Sequence, residues 1–286
     1  MTAYITNAVQ QDGFGARLHR AMQVMAVTFY LRDTYQLDLQ YIHAPFDYED
    51  ANCNYYSGEV ERGEKAINPY NEYKRDSYME RGRLWNKRVF VKGITLNDIN
   101  INDFILSDKS QLWEDVITKN IDGKLYAFGE VYHEFDCGMF SSTLHDTYYE
   151  EIRERLDITT PPTDKYSVNI HIRRKDSFGG RWLSDDYYID ILNALIPYKD
   201  RYDITICTQR EGFDPAKYEG WNIAYDDQEE DFDRFVKMMY ADVLVLGISS
   251  YSVAAGFLNR NIVVSYAKSN RLLDRWFTKD EYIKSL

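Results

Sequence analysis

The chain has 286 residues, of which 34 are lysine or arginine and 46 aspartate or glutamate, giving a formal net charge of -12 at pH 7. That length accommodates two medium α/β domains, and the charge disfavours general binding to nucleic acid or to an anionic membrane, so an anionic ligand needs a focused basic pocket. Three cysteines, Cys53, Cys137 and Cys207, are too widely spaced for a zinc site and odd in number, which argues against a metal staple or disulfide framework and for a reducing compartment.

In chain order, residues 3–5 read as a short apolar strand, with no basic segment leading into an apolar one as in a secretion signal. A polar loop runs through Gly15, and a helix over 16–31 follows, because Leu18, Met22, Met25 and Phe29 recur at helical spacing on one face. A strand over 37–43 is closed by Pro45, so the opening segment forms a strand-loop-helix-strand unit of a doubly wound sheet. From 47 to 88 the chain is polar and without sustained periodicity; its tyrosines and Trp85 offer an aromatic platform for a sugar. Strands at 90–94 and 126–131 and a helix over 142–156, with Leu144, Tyr148, Ile152 and Leu156 on one face, complete the first half.

Thr159-Thr160-Pro161-Pro162-Thr163 is a stiff, non-helical linker, and the domain boundary is placed there, dividing the chain into 1–160 and 161–286. Beyond it strands (166–172, 204–208, 243–246, 262–264) alternate with helices (186–196, 232–239, 253–258), the pattern of a parallel Rossmann-like domain. The uncharged stretch 243–259 is broken by Gly247 and Ser249-Ser250 and falls short of the roughly 20 apolar residues that span a bilayer, so no stable membrane insertion is expected.

Three segments carry candidate chemistry. His171-Ile172-Arg173-Arg174-Lys175-Asp176 leaves the carboxyl end of a parallel strand, where such sheets bind ligands, and its guanidiniums offer forked donors to a diphosphate. An isolated Arg-Arg pair would more often be a solvated loop. The second segment, Gly247-Ile248-Ser249-Ser250-Tyr251-Ser252, joins a strand to a helix N-terminus, whose unpaired N–H groups and hydroxyls suit a phosphate. The third, Gln11-Asp12-Gly13-Phe14-Gly15-Ala16-Arg17, lacks the third glycine of a dinucleotide fingerprint, having Leu18 there. Its glycines let a substrate approach closely, and Asp12 is a carboxylate base for an acceptor hydroxyl or, on its residues alone, a turn or N-cap aspartate. His43 and His133, the latter beside Glu134 and Asp136, are weaker candidates for the acceptor site.

In this order the three segments resemble the fucosyltransferase superfamily, comprising the α-1,2- and α-1,6-fucosyltransferases and the protein O-fucosyltransferases. His171-Ile172-Arg173-Arg174 is similar to the family's His-x-Arg-Arg motif, Ser249-Ser250-Tyr251-Ser252 to its Ser-Ser-Phe-Ser turn, and Asp12-Gly13-Phe14 to a Glu-Gly-Phe run of one O-fucosyltransferase branch. The likeness covers roughly 100 residues of the second half and the glycine-loop helix of the first. It implies a GT-B-like fold, two Rossmann-like domains with a cleft between them, with an acceptor-side domain at 1–160 and a nucleotide-sugar-binding domain at 161–286.

The activity implied is inverting, metal-independent transfer of fucose from GDP-fucose to a glycan hydroxyl, with no cofactor beyond the donor substrate. Asp12 would be the base and Arg173 the diphosphate-binding residue, supported by Arg174. His171, Ser249, Ser250, Ser252, Gly13, Gly15 and Arg17 would line the donor site.

The chain departs from the family at Ala16, where relatives have Asn, and at Arg234, sixteen residues before Ser250, where relatives carry an acidic guanine reader. Arginine cannot accept guanine N–H groups. Asp233 next to it would serve after a register shift; otherwise a UDP-sugar such as UDP-xylose is the alternative donor. A non-catalytic nucleotide-sugar or glycan-binding protein on the same fold is the alternative of another class. The P-loop signature of phosphotransferases is missing. The chain is expected in a bacterial or viral cytosol, unless it is a truncated piece of a lumenal protein.

Overall fold

Short apolar strands interleaved with helices build two separate units, Met1–Ile158 and Thr159–Leu286. The structure, a computed structural model, describes residues 2–7, 14–45, 90–107, 109–128, 142–158, 166–174, 182–225, 231–267, 273 and 275–286. The expectations for Asp12, Gly13, Trp85, His133 and the polar stretch 47–88 fall outside these residues.

The first unit contains β1 (Ala3–Asn7), α1 (Phe14–Tyr35), β2 (Leu39–Tyr41), β3 (Phe90–Val91), β4 (Ile105–Ser107), α2 (Lys109–Thr118), β5 (Lys124–Phe128), α3 (Ser142–Thr147), α4 (Tyr149–Arg155) and β6 (Leu156–Asp157). Four strands form a parallel sheet in the order β2-β1-β5-β4. The helix predicted over 16–31 begins two residues earlier, so Gly15 lies in its first turn rather than in a loop; the side chain of Phe14, 3% exposed, anchors that start in the core. The helix was expected to show one apolar face, yet it is buried along nearly its whole length. The reason is tertiary: α1 packs against β1 and β2 and also against α2, α3 and α4.

Two other expectations change. The helix over 142–156 is two helices, α3 and α4, meeting at Tyr148. Phe90-Val91 does form a strand, but it pairs antiparallel with Leu156-Asp157 in a separate ladder instead of joining the parallel sheet.

The second unit comprises β7 (Tyr166–Ile172), α5 (Asp185–Leu195), β8 (Tyr202–Thr208), β9 (Asn222–Tyr225), α6 (Asp231–Tyr240), β10 (Val243–Val245), α7 (Ser250–Leu258), β11 (Ile262–Ser265), β12 (Phe277–Thr278) and α8 (Lys279–Ser285). Its six strands are all parallel, in the order β12-β11-β10-β7-β8-β9. Counted from β7 and read from the β9 edge, this is the 3-2-1-4-5-6 order of a Rossmann sheet.

Strand side chains alternate between faces. Val168, Ile170 and Ile172 of β7, with Ile204 and Ile206 of β8 and Val243 and Val245 of β10, form one core with Tyr188, Ile191, Leu192 and Leu195 of α5 and Tyr282 of α8. The intervening residues face the other helices: the Asn169 amide donates to the Lys237 carbonyl of α6 at 3.3 Å, and the His171 ring lies 5.8 Å from that of Tyr251 in α7. Helices therefore cover both faces, as a sheet of continuous apolar strands requires. The fold class expected from the sequence, α/β with Rossmann-like halves, is the one observed. No helix among the described residues is long and apolar enough to cross a membrane.

Candidate functional site

The order of the second sheet reverses between β7 and β10, which are paired neighbours. An open parallel sheet has its ligand crevice at such a reversal, beyond the carboxyl ends of the strands, because the connections leave on opposite faces and part there. The chain leaving β7 there is Ile172-Arg173-Arg174, and the chain leaving β10 is Leu246-Gly247-Ile248-Ser249-Ser250. Two segments 75 positions apart in sequence are thus brought together, and Arg173 Nη1 donates to the Ile248 carbonyl at 3.3 Å.

Gly247 makes this approach possible. A Cβ at that position would lie 2.8 Å from the His171 carbonyl oxygen, 3.2 Å from His171 Nδ1 and 3.4 Å from Tyr188 Oη. The first of these is closer than real Cβ atoms come to backbone, so any side chain would push the turn away from β7.

Beyond the glycine, the Ser249 N–H bonds back to the Gly247 carbonyl at 2.8 Å, and α7 begins at Ser250 with Ser249 in extended backbone as its N-cap. The Ser249 side chain makes no capping bond and is partly exposed, as is Ser250. Ser252 is different: it is fully buried, with its hydroxyl 3.3 Å from the carbonyls of both Gly247 and Ser249. It shapes the turn from inside.

The two arginines part ways. Residues 171 and 173 continue the β7 face that meets α7, whereas 172 and 174 continue the face that meets α5. Arg173 is partly exposed beside the turn. Arg174 is 5% exposed and pairs with the Asp185 carboxylate at the start of α5, while Nη1 donates to the Arg173 carbonyl at 2.9 Å. Its guanidinium also lies 5.9 Å from the ring centres of Trp182 and Tyr188. Asp185 is further held by Lys217 at 2.8 Å and Tyr218 at 2.7 Å. Arg174 therefore fixes the backbone from which Arg173 projects. Asp185 was not singled out from the sequence; an acidic residue opening a helix after Ser184 was the available sign for it.

Near the β9 edge, Arg234 of α6 is 5% exposed and donates from Nη2 to the Tyr225 carbonyl at 3.3 Å, while Asp233 is partly exposed. The Arg210 guanidinium lies 4.0 Å from the Tyr225 ring centre.

In the first unit, Gly15 and Arg17 lie in the opening turns of α1, with Arg17 5% exposed. His43 follows β2, bridges to Thr95 and is 5% exposed. The Tyr41 hydroxyl donates to Asn7 Oδ1 at 2.7 Å and lies 2.9 Å from His43 Nδ1. Tyrosine has one proton, so His43 Nδ1–H must be the donor in the second contact. Asn7, Tyr41 and His43 thus form a hydrogen-bonded chain at the carboxyl edge of this sheet.

Burial pushes His43 down to about 3, and burial with the nearby Arg20 charge pushes His19 down to about 3. An unfolded chain binds these protons from about pH 6.5 downward, the folded chain only near pH 3. The resulting stability is complete above the unfolded value and is lost as pH falls. The melting temperature should decline from about pH 6.5 to about pH 4.5, above the carboxylate range, and substituting both histidines by glutamine should flatten that decline. Thermal scans across this window check it.

No protein-family model matches the chain, and no curated protein sequence is similar to it. Among solved structures the chain is similar to the E. coli heptosyltransferase WaaC with ADP, at 10% identity and a TM-score of 0.38 over 99% of this chain and 96% of that one. It is also similar to POFUT1 in complex with GDP, at 7% identity and a TM-score of 0.45 over 93% of this chain and 99% of that one. Both scores lie below 0.5, and the functional reading rests on the residues described above.

Proposed function

We propose that the second unit holds a nucleoside diphosphate sugar with its diphosphate between Arg173 and the first turn of α7, and that the chain transfers that sugar to a glycan hydroxyl. The observation that carries this reading is the meeting of Arg173 with the Gly247–Ser250 turn at the reversal of strand order. A guanidinium fork and the unpaired N–H groups of a helix N-terminus both donate to phosphate oxygens, and both stabilise the charge that grows on the diphosphate as the glycosidic bond breaks.

In this reading the chain is a transferase of the GT-B type. The acceptor hydroxyl attacks the anomeric carbon from the side opposite the leaving diphosphate, which inverts the configuration, and Asp12 takes the hydroxyl proton as the new carbon–oxygen bond forms. Arg173 supplies the positive charge that a divalent cation supplies elsewhere, so transfer proceeds without a metal.

Fucose from GDP-fucose is the donor indicated by the resemblance. A UDP-sugar is the second reading, favoured by one observation: Arg234 stands where an acidic guanine reader is expected, and its guanidinium is buried and bound to the Tyr225 carbonyl. Calorimetric titration with GDP, UDP, GDP-fucose and UDP-xylose in EDTA tests the reading. Micromolar binding of one nucleotide pair is expected, with Asp12→Asn keeping that affinity and losing transfer. Failure of all four ligands to bind removes the proposal, and unchanged transfer by Asp12→Asn removes Asp12 from the mechanism.

A further inference from the structure

Gln209 is the first residue beyond β8 and Arg173 the first beyond β7, and the two strands end on the same pair, Ile172 with Thr208, so both residues leave neighbouring strand ends. Adjacent strands lie about 4.8 Å apart. The faces also agree. Ile204 and Ile206 share the core of Ile170 and Ile172, so Cys207 and Gln209 continue the other face, that of His171 and Arg173. Cys207 Sγ does lie 3.9 Å from Asn169 Oδ1 on that face.

Gln209 is only partly buried as a residue, but its Oε1 is shielded from water and accepts no hydrogen bond from the described residues. A shielded carbonyl oxygen without a donor is a destabilising arrangement that buried polar groups ordinarily avoid. The terminal torsion of glutamine is broad, so the amide is able to turn its oxygen towards a donor that arrives beside it.

We infer that Gln209 accepts a hydrogen bond from a ribose hydroxyl of the bound nucleotide. This rests on the reading of the crevice as a nucleoside diphosphate site. With the diphosphate at Arg173, the nucleoside runs from the reversal point towards β8 and β9, and the exit of the second strand of a Rossmann-ordered sheet is where the ribose hydroxyls lie. The choice of an amide follows from its neighbours. A carboxylate is the stronger acceptor, but one strand from the diphosphate it would repel the ligand's charge, whereas an amide oxygen accepts without that penalty.

The test compares each of GDP and UDP with its 2′-deoxy and 3′-deoxy forms by calorimetry, on the full chain and on Gln209→Ala and Gln209→Met. Methionine keeps the volume and removes the acceptor, so it covers the case in which alanine unfolds the unit. For whichever nucleotide the wild type binds, one deoxy form should bind about tenfold more weakly. In both variants the ribo form should weaken to the level of that deoxy form, leaving a ratio near one. Equal binding of the ribo and deoxy forms by the wild type overturns the assignment, as does a tenfold ratio that survives in the variants. Either result leaves the diphosphate site standing, whereas failure of the wild type to bind GDP and UDP at all takes down the underlying reading together with this one.

Discussion

Arg173→Ala should lower nucleoside diphosphate affinity by about 100-fold or more, the effect of removing two charge-assisted hydrogen bonds, while changing stability by less than about 1 kcal/mol. Arg173 is partly exposed and contacts the Ile248 carbonyl at the site itself, so its loss opens no cavity in the core. Arg173→Lys should recover only part of the affinity, because an ammonium has the charge but not the planar fork. Calorimetric titration paired with thermal melting separates the two effects. Retained affinity in the alanine variant would locate the diphosphate elsewhere.

Asp185→Ala should have the opposite signature, a large loss of stability with a secondary loss of binding. The variant leaves the Arg174 guanidinium buried without its carboxylate, and breaking a buried pair from one side costs about 3–5 kcal/mol. The Lys217 and Tyr218 contacts to the same carboxylate go with it. Burial works against the Asp185 carboxylate, but hydrogen bonds from Lys217, Tyr218 and Arg174 outweigh it and hold its pKa below the ordinary 3.8. The network therefore contributes fully above that value and weakens as pH falls below it. Denaturant unfolding near neutral pH gives the measure: a loss under about 1 kcal/mol would mean that Arg174 is held by its other contacts.

The contrast between these variants comes from strand geometry. Arg173 and Arg174 are consecutive, and read along the sequence they look like one basic clamp. A strand turns successive side chains to opposite faces, so one guanidinium meets the Ile248 carbonyl beyond β10 and the other is spent inside the unit on Asp185. That division was open to sequence reasoning through the period of two. Its partners were not, because Asp185 and Ile248 lie at different distances along the chain and no local pattern points to them.

The legible strands are the buried ones. β7 was predicted to the residue and β8, β10 and β11 to within two, since a parallel strand covered on both faces is a continuous apolar run bounded by turn residues. β9 and β12 were missed. Each lies at an edge of the sheet, is short, and carries no fully buried residue, so it leaves little hydrophobic pattern. β4 and α2 were missed for a related reason: Ile105 and Ile117 are 62% and 70% exposed, which blurs the contrast between inside and outside faces.

By itself the sequence determined the class of fold, the alternation of strands and helices in the second half, and the chemical character of the two segments that meet there. Those are local properties, carried by side-chain period and by the residues at strand exits. Tertiary structure alone decided that β7 and β10 are neighbours across a reversal of strand order, that Gly247 must lack a side chain because the His171 carbonyl lies against it, and that Arg234 and Ser252 face inward. Each of these depends on pairings between residues far apart in the chain, whose geometry is set by the packing of whole elements and leaves no mark in the neighbouring residues.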